Sequence, residues 1–189
     1  MTPGTPPAGP TSLPAAVHGA VTLRRATHAD VAAVAALEAV AFGDPWSAES
    51  FASLVHNPAV LFLVATATGD ATLAGYLVAW FAADQAEIAN LAVAPAQRGR
   101  GVGARLLDGA LAEGERRGTV ACFLEVRASN VAAQRLYASR AFAAVGRRPR
   151  YYRNPTEDAL VLRCEMHAAR AAAVAREATR AAEAPPPRS

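Results

Sequence analysis

Hydrophobic and polar positions recur along this chain with two different periods, and these periods predict its secondary structure. Strands are predicted at Val21–Arg25, Val60–Thr66, Thr72–Phe81, Glu87–Val93, Thr119–Arg127, Phe142–Val145 and Leu160–Cys164. Helices are predicted from Thr27 or Asp30 to Phe42, from Ala48 to His56, from Gly101 to Arg117 and from Ser129 or Asn130 to Arg140. Strands follow one another early in the chain and later alternate with helices. The pattern therefore predicts an α/β fold, with a mixed sheet flanked by helices on both faces.

The ends of the chain differ in composition from its middle. Residues 1–19 are rich in Pro, Gly, Thr and Ala, and we expect a disordered extension there. Residues 20–166 carry the periodic pattern and form the predicted domain. Residues 167–189 are an Ala/Arg-rich tail that is prone to form a helix and ends in a proline-rich terminus. Between the last two strands, the basic segment Arg147–Thr156 is predicted to be a loop.

One stretch combines a strand, a glycine-rich loop and the start of a helix. The strand Glu87–Val93 is closed by Pro95, and Arg98–Gly103 reads Arg-Gly-Arg-Gly-Val-Gly before the helical pattern begins. Glycines at such a junction let backbone N–H groups approach a ligand closely. The helix N-terminus adds unpaired N–H donors and the positive end of its dipole. We therefore expect a phosphate or pyrophosphate group to bind at Arg98–Ala104.

Composition narrows the functional class only modestly. Hydrophobic residues make up 52% of the chain and the net charge is +3, which suits a globular protein with a core. Cys122 and Cys164 are the two cysteines, too few for a disulfide framework, and no ligand spacing predicts a metal site. No apolar run reaches the roughly 18 residues of a membrane helix, and no signal peptide pattern occurs. A soluble cytoplasmic protein is the expectation.

The glycine-rich loop also has two alternative interpretations, both as a nucleotide-binding site. Gly99, Gly101 and Gly103 follow a strand and open a helix, and Glu125 comes later in the chain, which imitates a dinucleotide fingerprint. However, the glycine spacing differs from that fingerprint, and the chain does not repeat a βαβ unit. A kinase-type phosphate loop would need Gly-Lys-Ser or Gly-Lys-Thr, and the sequence has neither.

An ordered series of motifs resembles a known family. Arg98–Gly103 fits the Arg/Gln-x-x-Gly-x-Gly/Ala signature of the GCN5-related N-acetyltransferase (GNAT) superfamily. Over residues 21–166, further segments resemble the RimI-type protein N-terminal alanine acetyltransferases. These segments are Pro45-Trp46-Ser47 with Phe51, Asn90-Leu91-Ala92-Val93, Leu124-Glu125-Val126-Arg127-Ala128-Ser129-Asn130, Leu136-Tyr137, Tyr151-Tyr152 and Glu157-Asp158-Ala159-Leu160.

The resemblance implies a GNAT fold and acetyl-CoA as the cosubstrate. The strand matching Leu91, Ala92 and Val93 would bond the pantetheine arm through its backbone. The loop matching Gly99–Ala104 would wrap the pyrophosphate, and Asn130 would contact the cofactor further along. The loop residues so implied are Gly99, Arg100, Gly101, Val102, Gly103 and Ala104. Glu125 resembles the family's general base and Tyr137 its general acid.

The chemistry of acetyl transfer fits these assignments. An α-amine has a pKa near 8 and must lose a proton before it attacks a thioester. A carboxylate at a strand end can accept that proton directly or through water, backbone N–H groups can stabilise the oxyanion, and a tyrosine hydroxyl can protonate the leaving thiolate. No metal is needed. Glu87 on the central strand is the alternative base, and Tyr151 and Tyr152 line the peptide groove or cover the core.

The expected acceptor is a protein N-terminus, with the N-terminal alanine of ribosomal protein S18 as the substrate that the resemblance implies. A small amine, a lysine side chain, and an acetyl-CoA-binding interaction module remain as alternatives. We expect a monomer that requires neither membrane nor nucleic acid. One departure concerns Ala141, where the family commonly has glycine. Alanine is strained in the left-handed conformation of that cap, so the turn after the Tyr137 helix is expected to differ.

Overall fold

The computed structural model describes residues 21–67, 72–167, 171, 174–176 and 178–179. Within these residues, seven strands form one sheet in the order β1-β2-β3-β4-β5-β7-β6. The strands are β1 (Val21–Arg25), β2 (Val60–Ala67), β3 (Leu73–Ala82), β4 (Gln85–Val93), β5 (Ala121–Arg127), β6 (Ala143–Arg153) and β7 (Thr156–Glu165). The helices are α1 (Val31–Ala41), α2 (Ala48–Leu54), α3 (Val102–Arg116) and α4 (Val131–Ala138). Neighbouring strands are antiparallel except for the parallel pair β4 and β5.

Local sequence explains where the helices begin and end. The Ser47 hydroxyl oxygen accepts a hydrogen bond from the Ser50 amide at 3.1 Å and caps α2. Gly118 lies in the left-handed region (φ +72°) directly after α3, as expected of a helix-terminating glycine. The Asn130 side-chain oxygen accepts from the Ala133 amide at 3.1 Å and caps α4.

The core has one layer on each face of the sheet. Helices α3 and α4 cover one face, where residues such as Leu106, Leu107 and Tyr137 pack on Leu124 and Val126. Helices α1 and α2 cover the other face with a layer that draws on β2, β3 and β4 and includes no residue of β5, β6 or β7. On that second face, the half-buried side chains of β5 and β7 are therefore left without a covering helix among the described residues.

The structure confirms the mixed α/β fold and corrects one element. The predicted loop Arg147–Thr156 is mostly strand, because β6 continues to Arg153 and pairs with β7 across a short turn at Asn154 and Pro155. Gly146 and Pro149 both lie within β6. An edge strand tolerates both, since one side of its ladder has no partner and a bulge separates Arg148 from Tyr152.

A second correction concerns the turn after α4. Ala141 adopts φ +64°, which is the left-handed conformation that glycine would occupy there, and the turn is therefore kept at some cost in strain. The predicted N-terminal extension lies outside the described residues. Most of the tail does as well, although its described residues are helical and Arg176 donates a hydrogen bond to the Ser139 carbonyl at 2.7 Å.

Candidate active site

The sheet opens between β4 and β5. The two strands pair only from Gln85 to Ile88 on β4 and from Ala121 to Leu124 on β5. A bulge in β4 follows directly. Val78 and Ala79 are consecutive in β3, but they pair with Asn90 and Ile88 of β4, so one β4 residue between these two has no partner in β3. Beyond this point the backbone groups of β4 that face β5 make no ladder with it. They are therefore available to a ligand lying in the gap.

The glycine-rich loop lies at the end of this gap. Gly99 (φ +74°) and Gly101 (φ +78°) both adopt the left-handed conformation, and a Cβ atom at either would meet no atom within 4 Å. Gly101 is the N-cap residue of α3. The first amides of α3 have no carbonyl of their own helix to bond, so they point their hydrogens out of the helix end. The loop therefore presents open space, N–H donors and the positive helix end, as an anion site requires.

One groove of about 1170 Å³ runs from this loop along the gap. It brings together both predicted catalytic residues and nearly all predicted cofactor residues. Those lining it are Leu91, Ala92, Val93, Gly99, Gly101, Val102, Gly103, Ala104, Glu125, Asn130 and Tyr137. Arg100 is exposed on the loop and does not line the groove.

Glu125 stands where the two strands part. It follows Leu124, the last β5 residue that pairs with β4, and points to the face of the sheet that α3 and α4 do not cover. Its carboxylate forms an ion pair with Arg148 of β6, with 3.0 Å between the carboxylate oxygen and the guanidinium nitrogen. The Glu125 side chain is 17% exposed. Burial, together with the charge of this carboxylate, raises the pKa of Tyr151.

Glu87 occupies the same face of the sheet. It pairs with Phe123 in the parallel register, two positions before Glu125, which places the two Cα atoms roughly 8 Å apart by strand geometry. Glu87 is exposed and makes no ion pair with another described residue. A second cavity of about 310 Å³ adjoins both carboxylates, and Trp80, Phe123 and Arg148 contribute to its walls.

Tyr137 reaches the groove from the opposite side. It lies on α4, is 7% exposed, and packs its ring on Phe142 with 5.9 Å between the ring centroids. Burial raises the pKa of Tyr137, with Tyr152 adding a smaller contribution, so that the hydroxyl stays protonated through the neutral range. Within the described residues, this hydroxyl makes no hydrogen bond, which leaves it available to a ligand.

Two loops close over the groove on the uncovered face. The α1–α2 connection lines it with Phe42, Gly43, Asp44 and Trp46, and the β6–β7 hairpin lines it with tyrosines. The loops touch, because the Asn154 side chain donates to the Gly43 carbonyl at 3.4 Å. A Cβ atom at Gly43 would lie 2.1 Å from the Asn154 carbonyl oxygen, so only glycine allows this approach.

Both hairpin tyrosines line the groove rather than only covering the core. Tyr151 and Tyr152 pack edge to face with ring centroids 5.2 Å apart. The Arg127 guanidinium lies over the Tyr152 ring at 4.1 Å, and burial raises the pKa of Tyr152 to about 12. These rings and the α1–α2 connection form a narrow, partly aromatic opening beside Glu125.

Sequence reasoning missed two groups around the site. Arg148, which pairs with Glu125, lay in the segment predicted to be a loop, and the almost wholly exposed β6 carries no hydrophobic alternation that could have placed it. Glu38 of α1 is 1% exposed and lines the groove, yet its helical spacing marked it only as part of a helix face. A single glutamate among apolar positions of a helix was the available signal, since such a residue is seldom buried without partners.

The profile of the acetyltransferase (GNAT) family matches residues 31–142, more than half of the chain. The chain belongs to the GNAT acetyltransferase family. The [ribosomal protein bS18]-alanine N-acetyltransferase of Escherichia coli K12 is 36% identical to this acetyltransferase over 137 residues, covering 70% of this chain and 89% of the relative. The N-alpha-acetyltransferase RimI of Mycobacterium tuberculosis is 38% identical over 149 residues, covering 76% and 91%.

Solved structures agree with the sequence relatives. The crystal structure of the ribosomal-protein-S18-alanine N-acetyltransferase from Escherichia coli superposes with a TM-score of 0.71 and 32% identity, covering 78% of this chain and 94% of that one. The resemblance inferred from the motifs is thereby confirmed. The protein is a GNAT enzyme, an N-acetyltransferase that uses acetyl-CoA as its acetyl donor. The dinucleotide alternative is wrong, because the chain belongs to the GNAT family, whose members use acetyl-CoA.

The described residues contain no group of three or more His, Cys, Asp or Glu side chains placed to hold a metal ion. They also contain no helix with the length and apolar character that a membrane span requires.

Proposed function

We propose that this acetyltransferase transfers the acetyl group of acetyl-CoA to the N-terminal α-amine of a protein, and that its acceptor is the N-terminal alanine of ribosomal protein S18. The observation that carries the proposal is the position of Glu125 at the parting of β4 and β5, under the opening framed by Gly43 and Asn154. The E. coli relatives named for this activity support the acceptor.

The cofactor binds along β4 and the glycine-rich loop in this proposal. Backbone groups of Leu91, Ala92 and Val93 bond the pantetheine arm, which lies in the gap left by β5. The amides at the start of α3 and the loop Gly99–Ala104 hold the pyrophosphate by hydrogen bonds and by the helix dipole. Asn130 uses its side-chain oxygen to cap α4. Its amide hydrogens remain for the cofactor.

Glu125 is the proposed base. The acceptor α-ammonium carries the same charge as the Arg148 guanidinium, so it can replace Arg148 at the carboxylate without a net change of charge. Glu125 then removes a proton, directly or through a water molecule, and the free amine attacks the thioester carbonyl carbon. Glu87 lies on the same face and contributes by attracting the cationic amine.

Tyr137 is the proposed acid. As the new C–N bond forms and the C–S bond breaks, the sulfur takes up negative charge on the side of the sheet that α4 covers. The Tyr137 hydroxyl lies on that side and holds its proton, so it donates a hydrogen bond to the sulfur as the thiolate leaves. Base and acid thus act from opposite faces of the split sheet.

The opening also argues for a protein terminus over a lysine side chain. A terminal α-amine is followed directly by a peptide backbone, which the tyrosines of the β6–β7 hairpin can contact on one side and the α1–α2 connection on the other. We further propose that the enzyme acts as a monomer in the cytoplasm, where ribosomal proteins are made.

An acetylation assay tests the acceptor. Purified protein is incubated with acetyl-CoA and peptides that begin with the S18 sequence, with Ser or with Met, together with an N-terminally blocked peptide that carries one lysine. Mass spectrometry should show acetyl transfer to the α-amine of the S18 peptide, at the highest rate. Transfer to the blocked lysine peptide alone would overturn the assignment. Transfer only to a small amine supplied in the same assay would do so as well.

A further inference from the structure

Glu38 is a buried carboxylate that the proposed chemistry does not use. It lies on α1, is 1% exposed, and burial raises its pKa. Three donors from separate parts of the fold meet it. One carboxylate oxygen accepts from the Trp46 amide at 3.1 Å and from the Asn90 side chain at 3.0 Å, and the other accepts from the Tyr76 hydroxyl.

Two of the three donors belong to segments that line the groove, and the third comes from the core. The Trp46 amide belongs to the α1–α2 connection, which forms one side of the opening. Asn90 follows the β4 bulge, so its side chain fixes the strand next to the gap between β4 and β5. The Tyr76 hydroxyl comes from β3, and its ring packs edge to face on Phe51 of α2, with centroids 5.5 Å apart.

We propose that Glu38 is a positioning residue for the acceptor side of the groove, an inference that rests on the proposed function. A single carboxylate oxygen shared by Trp46 and Asn90 holds the α1–α2 connection at a fixed distance from the split in the sheet. Because this connection also touches the β6–β7 turn at Asn154, the same oxygen sets the width of the opening beside Glu125. Glu38 acts through these partners and does not contact the reacting atoms.

A purely structural role is the competing explanation, and the chain offers a matched control for it. Glu113 on α3 is also buried, at 3% exposed, and bonds Arg25, Arg116 and Arg117. None of these four residues lines the groove. Glu113→Ala removes an equally buried carboxylate from its partners without touching the site.

The test compares steady-state kinetics of Glu38→Ala, Glu38→Gln and Glu113→Ala, with thermal unfolding measured in parallel. Glu38→Ala leaves three donors without an acceptor, and we expect the KM for the S18 peptide to rise about tenfold or more, with acetyl-CoA affinity changed less than about threefold. Glu38→Gln keeps one acceptor oxygen for Trp46 and Asn90 and should restore most of the peptide KM. Glu113→Ala should lower the unfolding temperature and leave both kinetic constants unchanged.

Tryptophan fluorescence reports on the α1–α2 connection without a turnover assay. The chain has two tryptophans, so in a Trp80→Phe background the fluorescence of Trp46 reports on the α1–α2 connection alone. Glu38→Ala should shift this emission and Glu113→Ala should not. If Glu38→Ala does not fold, Tyr76→Phe removes one donor isosterically and should raise the peptide KM by a smaller factor.

The outcomes separate this inference from the proposed function. A wild-type enzyme that acetylates no protein N-terminus contradicts the proposed function, whatever the variants do. A wild-type enzyme that does so, while Glu38→Ala keeps its peptide KM and its Trp46 emission, overturns the positioning role. Equal kinetic losses in Glu38→Ala and Glu113→Ala would overturn it too, because they would show a general effect of destabilisation.

Discussion

The two halves of the groove are built by different means. On the cofactor side, the walls are the backbone of β4, two glycines in the left-handed conformation and the first turn of α3. On the acceptor side, the walls are side chains, including the Glu125–Arg148 pair and the rings of Tyr151 and Tyr152. Apart from Asn130, the first half lies within one stretch of chain from Leu91 to Ala104. The second is assembled from α1, the connection between α1 and α2, β5 and the β6–β7 hairpin.

This difference has a consequence for function. Backbone groups bind a ligand through the conformation of the chain, so the cofactor half tolerates many side chains but depends on glycine at a few positions. The acceptor half depends on contacts between distant segments, such as Gly43 with Asn154. We therefore expect substitutions to separate cleanly into those that change acetyl-CoA affinity and those that change the use of the acceptor.

Gly101→Asp should have the largest effect. Aspartate would be strained at φ +78°, and its carboxylate would lie at the helix end where phosphate is to bind. Gly118→Asp is a matched control, because Gly118 has φ +72°, has equally open surroundings and lies at the other end of α3. Calorimetric titration should show acetyl-CoA affinity reduced at least about a hundredfold in the first variant only. Retained affinity in Gly101→Asp would remove the loop from the cofactor site.

Gly43→Ala should act on the acceptor half alone. The new methyl group would press on the Asn154 carbonyl and push the two loops apart, so the KM for the S18 peptide should rise about tenfold. Gly146→Ala serves as the control, because a methyl group there would meet Val161 at an ordinary 3.7 Å. Peptide and acetyl-CoA titrations on both variants check the prediction. An unchanged peptide KM in Gly43→Ala would show that the loop contact does not shape the opening.

The same division explains how much the sequence could predict. The strand Glu87–Val93, the start of a helix after the glycines and the fold class were predicted correctly, because their signals are local: closely spaced glycines, a strand-closing proline and regular periods. Glu125 and Tyr137 came from the family resemblance, and the structure brings both to the groove. The pairing of Arg148 with Glu125, and the three donors on Glu38, depend on strand register and on helix packing. These are properties of the tertiary fold that no short window of sequence contains.

Ala141→Gly should leave both halves unchanged and alter only stability. Relief of the left-handed strain at φ +64° gains more than glycine loses in unfolded-state entropy, for a net gain of about 0.5–1 kcal/mol. Ala112→Gly at an ordinary exposed position of α3 should instead cost about 1 kcal/mol. Urea unfolding measures both. A destabilised Ala141→Gly enzyme would mean that the turn is not strained.

A second effect on stability alone, of similar size, is expected at the start of α1. The Arg24 guanidinium, bonded twice at 2.7 Å, lowers the pKa of Asp30 from 3.8 to about 2. Because the folded pKa lies below the unfolded one, this stabilisation is complete above about pH 4 and is lost as the pH falls towards 2. Asp30→Asn should therefore cost on the order of 1 kcal/mol at pH 7 and progressively less below pH 4. A pH-independent difference in unfolding free energy would contradict this.

We infer that one half of the groove holds the donor and that the other half activates the acceptor through Glu125. The most direct measurement is the turnover of Glu125→Gln on the S18 peptide, with acetyl-CoA affinity measured on the same sample and Glu87→Gln alongside. We expect kcat to fall about a hundredfold or more in Glu125→Gln, with acetyl-CoA affinity within about threefold of wild type and a smaller loss in Glu87→Gln. Wild-type turnover in Glu125→Gln would contradict the claim, and a collapse of kcat in Glu87→Gln instead would move the base to β4.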